Sequence, residues 1–298
     1  MPYDKNTFYN IGRENMSEHT IQLNDGRNLG YGTYGDTSGK PVLYFHGTPG
    51  CRFDAELFHT LAMNNHIHLI SVERPGYGLS DEKCSYTYMD WVKDVRELMK
   101  ELKMEKVDII GVSGGAPYAL SCAEQLCSKI GRVAIVCGLV PFDSEEARKS
   151  IAKEDQMLMD AAQNTPEQVA PVIENIHNNP HRMVEEATSS FTDFDKKIIT
   201  NEVLEKFPRI IKEATRSSEG MISDYKLFGQ PWNINFKDIN VPVYFWNGDL
   251  DQSISVKVAS SFADRFRKVK FNLIEGAGHF GTAVVGPERA ILLLANEK

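Results

Sequence analysis

Residues 111–115 place a serine between glycines at a point where a strand should turn into a helix. They read Gly-Val-Ser-Gly-Gly, follow the apolar run 107–110 and precede a helical stretch that begins at Ala116. Glycines on both sides of Ser113 permit a turn tight enough to expose the serine hydroxyl at the helix N-terminus. This context predicts Ser113 as the nucleophile of an acyl-transfer reaction.

A histidine later in the chain is suited to activate that serine. The loop 276–280, Gly-Ala-Gly-His-Phe, follows the last predicted strand. A loop at this place can position the imidazole of His279 over Ser113, where it would accept the hydroxyl proton. We therefore predict His279 as the general base.

Several carboxylates are candidates for orienting His279. Asp249 and Asp251 lie in the segment 247–251, which follows a predicted strand. Either would fix the imidazole tautomer and stabilise the imidazolium. Asp143 is a third candidate, although its position favours a helix N-cap. The order serine, acid, histidine is that of one hydrolase scaffold, but spacing alone does not choose among the acids.

Residues 46–50, His-Gly-Thr-Pro-Gly, follow another predicted strand and are candidates for binding an oxyanion. Proline has no N–H to donate, so we assign the first donor to the backbone of Thr48. The N–H of Gly114, directly after the serine, is the second donor. Together they would stabilise the negative charge that develops on a substrate carbonyl.

The candidate residues lie far apart in sequence, so a fold must bring them together, and the apolar patterns predict which fold. Short strand-like runs alternate with helical patterns, which predicts an α/β fold with a mostly parallel sheet and helices on both faces. The turn 24–26 should join an antiparallel hairpin of 19–23 and 28–32. The runs that should form strands buried on both faces are 41–45, 66–72, 107–111, 132–136, 241–246 and 269–274. The helical patterns between them are 88–102, 116–125 and 256–266.

Residues 143–232, hereafter the insert, break this rhythm, because they show several helical patterns and no strand. Thr165–Gln168 reads as a capping box with Pro166 at the first helical position, and Asn179-Pro180 repeats the proline signal. We predict an α/β core of residues 1–142 and 233–298 with a helical insertion. A separately folding domain is the alternative.

Composition and charge indicate which kinds of partner, such as nucleic acids or membranes, this chain is unsuited to bind. The formal net charge is −8 and no block of five basic residues occurs, which argues against nucleic acid. No apolar segment approaches 18 residues, so no membrane span is expected, and the N-terminus has no secretory signal. Five cysteines without a CxxC pair suggest reduced thiols and a cytoplasmic protein, with Cys122 and Cys127 in a helix and Cys137 in a strand. We expect neither a metal nor a cofactor.

Five segments together resemble the α/β-hydrolase family in the right order: HGTPG at 46–50, ERPGYGLSD at 73–81, GVSGGAPYAL at 111–120, GDLD at 248–251 and GAGH at 276–279. The resemblance selects Asp251 over Asp249 as the acid. It also implies that the insert is a helical cap that shapes the substrate pocket. Residues 219–232 are similar to a set of bacterial hydrolases with little assigned function.

The resemblance implies a serine hydrolase with a catalytic triad that cleaves a small carboxylic ester, a small-molecule substrate, through an acyl-enzyme on Ser113. Cofactor-free perhydrolases and carbon–carbon bond hydrolases are similar proteins that use the same triad. Proline iminopeptidases resemble the HGTPG segment but carry tryptophan where this chain has Gly114, and epoxide hydrolases and haloalkane dehalogenases carry aspartate at the position of Ser113. A non-catalytic ligand-binding protein of this fold is a further alternative. The sequence leaves the oligomeric state open.

Overall fold

A computed structural model describes residues 17–151 and 153–296 of the 298-residue chain. Its strands are β1 (Ser17–Gln22), β2 (Asn28–Gly35), β3 (Lys40–Phe45), β4 (Ile67–Val72), β5 (Val107–Val112), β6 (Ile130–Val136), β7 (Val243–Gly248) and β8 (Val269–Ile274). The helices outside the insert are α1 (His59–Asn64), α2 (Tyr88–Glu101), α3 (Ala116–Gln125), α12 (Val256–Ala263) and α13 (His279–Asn296). The helices within the insert are α4 (Glu145–Lys149), α5 (Lys153–Asn164), α6 (Pro166–Asn178), α7 (Pro180–Thr188), α8 (Asp193–Ile198), α9 (Asn201–Leu204), α10 (Phe207–Ala214) and α11 (Glu219–Phe228).

The eight strands form one sheet in the order β1-β2-β4-β3-β5-β6-β7-β8. β1 and β2 form the predicted antiparallel hairpin, and β2 also pairs antiparallel with β4. The remaining pairs, from β4 through β8, are parallel. The predicted α/β fold with a mostly parallel sheet is therefore confirmed, and so is each predicted strand.

Alternate side chains of the central strands enter two separate hydrophobic clusters, one on each face of the sheet. Phe45 of β3 and Phe245 of β7 pack with residues of α2, α3 and α12. Tyr44 and Trp246, their neighbours in sequence, pack on the opposite face with residues of α1 and α13. Successive side chains of a strand point to opposite faces, so strands covered on both sides must be apolar throughout. This explains the continuous apolar runs.

β8 departs from the predicted burial on both faces. It lies at the edge of the sheet and pairs only with β7, and Val269 and Leu273 are exposed at 38% and 44%. Four of its six residues are apolar, and such a pattern does not distinguish an edge strand from a central one. Lys270, also exposed, interrupts the apolar surface of this edge.

The insert lies between β6 and β7 and, among its described residues, contains helices and no strand. Pro166 and Pro180 start α6 and α7 as predicted. The predicted capping box at Thr165 is wrong, since its side chain makes no cap hydrogen bond to α6. The Thr165 hydroxyl turns back toward the Ala161 carbonyl of α5, because this residue directly connects the two helices.

All five cysteines are free, and Cys122 and Cys137 are buried. Cys127 is exposed and lies outside α3, which ends at Gln125, because residues 126–129 form the turn that leads into β6. Cys137 lies one residue beyond the end of β6. None of the helices in the described part of the chain combines the length and apolar character needed to cross a bilayer.

Candidate active site

Ser113 occupies a sharp turn between β5 and α3. Its φ of +49° is in the left-handed region, which side chains other than glycine rarely adopt. A Cβ atom on Gly111 would lie 2.9 Å from the Gly115 carbonyl oxygen, and one on Gly115 would overlap the Phe45 carbonyl. The flanking glycines are therefore required by close backbone contacts, and the turn presents Ser113 at the carboxyl edge of the parallel strands.

The structure brings Ser113, His279 and Asp251 into one hydrogen-bonded chain. His279 Nε2 lies 3.2 Å from Ser113 Oγ, and His279 Nδ1 lies 2.9 Å from Asp251 Oδ2. His279 is the first residue of α13. The other oxygen of Asp251 accepts hydrogen bonds from the backbone N–H groups of Ser253 and Ile254, both at 2.9 Å. These two hydrogen bonds therefore fix the position of Asp251 independently of its contact with the imidazole.

The other two acids have different partners. Asp249 accepts a hydrogen bond from the Gly276 N–H at 2.7 Å and so supports the histidine loop. Asp143 forms an ion pair with Arg265 at 2.8 Å on the exposed surface. Neither expectation for Asp143 holds, because Ser144 is the residue that caps α4. The Asp143 carboxylate instead faces Arg265, which lies in the turn that follows α12.

Thr48 and Gly114 are close neighbours beside the turn that contains Ser113. A Cβ atom on Gly114 would lie 2.5 Å from Thr48 Oγ1, so a larger residue than glycine does not fit at this contact. Both residues line the same cavity as Ser113. The Thr48–Pro49 peptide bond is cis. The loop 46–50 therefore lies beside Ser113, and Thr48 and Gly114, the two predicted amide donors, are neighbours.

A cavity of about 290 Å³ opens beside Ser113. Its walls come from the sheet side, from α13 and from several helices of the insert, and they are mostly apolar. Phe280, which follows His279, is one of them. Cavities of this kind, with apolar walls and a few polar groups, are the usual form of small-molecule sites. Among residues 17–151 and 153–296, no cluster of His, Cys, Asp and Glu has the arrangement of a metal site.

Comparison with known proteins decides the family. Residues 40–282 match the sequence profile of the alpha/beta hydrolase fold. The chain belongs to the α/β-hydrolase family. A putative non-heme chloroperoxidase from Synechocystis is 24% identical over 292 residues, which cover 94% of this chain and 93% of the relative.

Solved structures share the fold of this α/β-hydrolase. A bromoperoxidase from Bacillus anthracis is similar with a TM-score of 0.74 at 19% identity, covering 94% of this chain and 100% of that one. An esterase from Exiguobacterium antarcticum gives a TM-score of 0.73 at 21% identity, covering 92% and 97% of the two chains.

The imidazole of this α/β-hydrolase is influenced by three carboxylates. Burial by itself would lower the pKa of His279, but the charge and hydrogen bond of Asp251 outweigh it, and Asp155 and Asp195 add to the effect. The pKa of His279 is therefore raised above its ordinary value. A carboxylate within hydrogen-bond distance favours the imidazolium, which is the form a base reaches after it takes a proton.

A buried ion pair that sequence reasoning missed supports the loop 46–50. Arg74 and Asp224 are each 1% exposed and lie 2.6 Å apart. Arg74 donates to the carbonyl oxygens of His46 and Gly47. The Thr48 hydroxyl donates to Asp224 at 2.6 Å and accepts from Arg74 at 2.9 Å. The pair therefore holds the loop through its backbone and through the Thr48 side chain.

Asp224 also binds the hydroxyls of two tyrosines. Tyr77 donates to it at 2.7 Å, and Tyr118, on the helix that follows the nucleophile, donates at 2.5 Å. These donors and Arg74 together satisfy a carboxylate that would otherwise be costly to bury. No local pattern in the sequence could have paired Arg74 with Asp224, because 150 residues separate them.

A second buried carboxylate from the insert, Asp195 of α8, supports the histidine loop. It accepts the Gly278 N–H at 2.9 Å, and the neighbouring Thr192 hydroxyl donates to the Gly276 carbonyl at 2.8 Å. A side chain on Gly281 would overlap the Asp195 carboxylate. The backbone just before His279 is thus held by the start of α8, and Gly281, just after it, packs against the same carboxylate.

Proposed function

We propose that this α/β-hydrolase is a serine hydrolase that cleaves a small carboxylic ester, or a related acyl substrate, through an acyl-enzyme on Ser113. The observation that carries the proposal is the chain of contacts from Ser113 Oγ to His279 Nε2 and from His279 Nδ1 to Asp251. A serine, a histidine and a fixed acid in this arrangement are the requirements for nucleophilic acyl transfer.

In this mechanism Ser113 Oγ attacks the ester carbonyl carbon while His279 Nε2 takes the hydroxyl proton. The carbonyl oxygen becomes an oxyanion, which the N–H groups of Thr48 and Gly114 stabilise. The tetrahedral intermediate collapses, the carbon–oxygen bond to the alcohol breaks, and His279 returns the proton to the alcohol. Water, deprotonated by His279, then attacks the acyl carbon. The bond from that carbon to Ser113 Oγ breaks, His279 returns the proton to Ser113 Oγ, and the acid leaves. Asp251 orients His279 throughout, and no cofactor takes part.

We further propose that the insert acts as a cap over residues 1–142 and 233–298. The cavity beside Ser113 has walls from both parts of the chain, including Met159 and Phe228 of the insert and Tyr44 of the sheet. Insert residues also contact the loops at Thr48 and His279. A cap in this position would exclude water and choose the substrate.

Peroxide in place of water is a second candidate, favoured by the names of two similar proteins. The Synechocystis relative is a putative non-heme chloroperoxidase and the Bacillus anthracis structure a bromoperoxidase. In that reaction hydrogen peroxide would attack the acyl-enzyme and release a peroxyacid, with the same proton transfers by His279. Peroxyacid formation from acetate and peroxide, measured beside ester hydrolysis, distinguishes the two.

The experiment that tests the proposal combines labelling with turnover. A fluorophosphonate should add to Ser113, as shown by intact mass and peptide mapping, and p-nitrophenyl esters of increasing acyl length should be hydrolysed. Ser113→Ala should lose both while it keeps its circular dichroism spectrum, and Ser38→Ala, which removes an exposed hydroxyl, should lose neither. Labelling without turnover would mean that the substrate class is wrong. Absence of both would favour the ligand-binding alternative.

A further inference from the structure

The cavity beside Ser113 contains two acidic side chains that the proposed mechanism does not use, Asp54 and Asp155. Asp54 already has a partner, because its carboxylate accepts the Cys51 N–H at 2.6 Å and caps the 3-10 helix Arg52–Phe58. Burial also raises the pKa of Asp54 to about 7, so a large fraction of it is neutral near that pH. The carboxylate of Asp54 therefore already has a structural role, at the start of its own 3-10 helix.

The carboxylate of Asp155, in the first turn of α5, has fewer and weaker partners than that of Asp54. The Tyr225 hydroxyl donates to its Oδ1 at 3.3 Å, a long hydrogen bond from a neutral group. In the part of the chain that the structure describes, no lysine or arginine forms an ion pair with Asp155, and none lines the cavity. Burial raises the pKa of Asp155, while Tyr225 and His279 oppose the change. Asp155 is half-buried, and its carboxylate has no dedicated counter-ion.

The charge of the bound substrate determines how much free energy it costs to cover the Asp155 carboxylate. A neutral substrate that fills the cavity would displace water from Asp155 and give its second oxygen no partner. A substrate with an ammonium group would supply the missing positive charge in surroundings where water screens it little. The surrounding apolar walls, which include Met159 and Leu139, would hold the rest of either substrate equally well.

We propose that Asp155 makes this pocket selective for substrates that carry a positively charged group, such as esters with an ammonium in the acyl or the alcohol part. The inference rests on the proposed function, because it concerns the pocket of Ser113. Asp155 is a specificity residue in this account, since it binds the remote charge and the reacting atoms remain with Ser113 and His279. Leaving a buried charge unpaired is penalised more strongly than leaving an apolar contact unmade, so the selectivity should reach about tenfold or more.

Two matched pairs of esters test the proposal. The first pair is butanoylcholine and its carbon isostere, in which carbon replaces the quaternary nitrogen of the alcohol. The second is the p-nitrophenyl ester of trimethylammonio-butanoate and its carbon isostere, with the charge in the acyl part. Each pair differs in charge and hardly in shape. We expect kcat/KM to favour the cationic member of at least one pair by about tenfold or more.

Asp155→Asn should bring that ratio close to one, because it removes the charge and retains the size of the side chain. Asp160→Asn is the matched control on the same helix, since Asp160 is exposed and the variant has the same net charge. It should keep the wild-type ratio. Fluorophosphonate labelling of Ser113 in both variants shows whether the site is still assembled.

A wild-type ratio near one in both pairs, or a preference that survives Asp155→Asn, would overturn the inference while ester turnover and labelling leave the proposed function standing. If no ester is hydrolysed, the labelling rates of two fluorophosphonates, one with a quaternary ammonium arm and one with its carbon isostere, replace the ratio. Absence of labelling by either reagent would overturn the proposed function, and this inference with it.

Discussion

Asp251 is held on both of its oxygens, one by backbone N–H groups and the other by His279. Its orientation therefore does not depend on the imidazole, whereas the orientation of the imidazole depends on Asp251. Asp249, two residues earlier, is bound to the Gly276 backbone instead. Sequence spacing does not distinguish these two carboxylates, but in the structure they bind different partners. The proposed mechanism uses only Asp251.

Asp251→Asn and Asp249→Asn form a matched pair that tests this difference. An asparagine amide at position 251 would donate to Nδ1 and favour the wrong tautomer of His279, so kcat should fall by about 10⁴-fold. Asp249→Asn keeps an oxygen that accepts the Gly276 N–H, so kcat should change by no more than about threefold. Ester hydrolysis measures both. Similar losses in the two variants would contradict the assignment of the acid.

The raised pKa of His279 predicts how activity depends on pH. Only the neutral imidazole accepts a proton, so activity should be lost as the pH falls, with a midpoint above about 6.5, the ordinary value for histidine. Asp155→Asn removes one charge that favours the imidazolium and should move this midpoint to lower pH. A pH profile of kcat/KM with a neutral ester measures it, with Asp160→Asn as the unaffected control. A midpoint that stays in place would mean that Asp155 has no electrostatic effect on the base.

At the scale of elements, two helices of the insert reach the loops around the candidate triad through buried carboxylates. Asp224 of α11 contacts the Thr48 loop, and Asp195 of α8 contacts the loop before His279. Because a hydrogen bond to a buried carboxylate is directional and strong, these contacts fix loop positions more narrowly than apolar packing would. The insert therefore affects the positions of the candidate catalytic groups as well as the walls of the pocket.

Thr48→Val tests the contribution of the α11 contact. Valine keeps the branched shape and the backbone N–H but removes the hydroxyl that joins Asp224 and Arg74. We expect kcat to fall by about tenfold with little change in KM, because the donor acts on the oxyanion and a looser loop weakens it in the transition state. Thr48→Ser, which restores the hydroxyl, should recover most of the loss. Equal activity of the serine and valine variants would argue against this role.

Gly281→Ala tests the α8 contact. Glycine to alanine within a helix normally stabilises a protein, but here the new methyl group would overlap Asp195 and push α8 away from α13. The free energy of unfolding should fall by about 1–3 kcal/mol. Gly229→Ala is the control, because its Cβ would lie 3.5 Å from Met159 Cβ in ordinary contact. Denaturant unfolding of both variants gives the comparison, and equal stability would contradict the close packing at Gly281.

At the scale of the whole molecule, several acidic residues of the insert have their partners in the rest of the chain. Asp224 pairs with Arg74, Glu213 pairs with Arg52, and Asp195 binds the Gly278 N–H. A segment whose buried charges are satisfied by another part of the chain loses those partners when it is separated. We therefore expect it to depend on the α/β core for its folding.

The isolated fragment 143–232 should accordingly show no cooperative unfolding transition. Its helices would retain at most partial structure, because Asp224 would lose Arg74 and Asp195 would lose the Gly278 N–H. Circular dichroism during thermal unfolding, compared with the full chain, measures this. A cooperative transition in the fragment would show that the insert is an independent domain instead.

Much of this architecture was accessible from the sequence, because the patterns involved are local. The apolar runs predicted β3 to β8, the turn 24–26 predicted the hairpin of β1 and β2, and the glycines around Ser113 predicted the tight turn there. Thr165 and Asp143 were assigned wrongly because a hydroxyl or carboxylate near a helix start has several partners within reach, and sequence does not rank them. Asp224 and Asp195 were missed for a different reason, since their partners lie 150 and 83 residues away. Such contacts follow only from the packed fold.

The separation of Ser113 and His279 by 166 residues has a consequence for the protein during its synthesis. A ribosome adds about 5–20 residues per second, so roughly 10–30 s pass between the two. Through that interval the nascent chain contains the serine and its turn sequence but no base to activate the hydroxyl. Under the proposed mechanism a growing chain therefore has no esterase activity until the strands that precede His279 have been made.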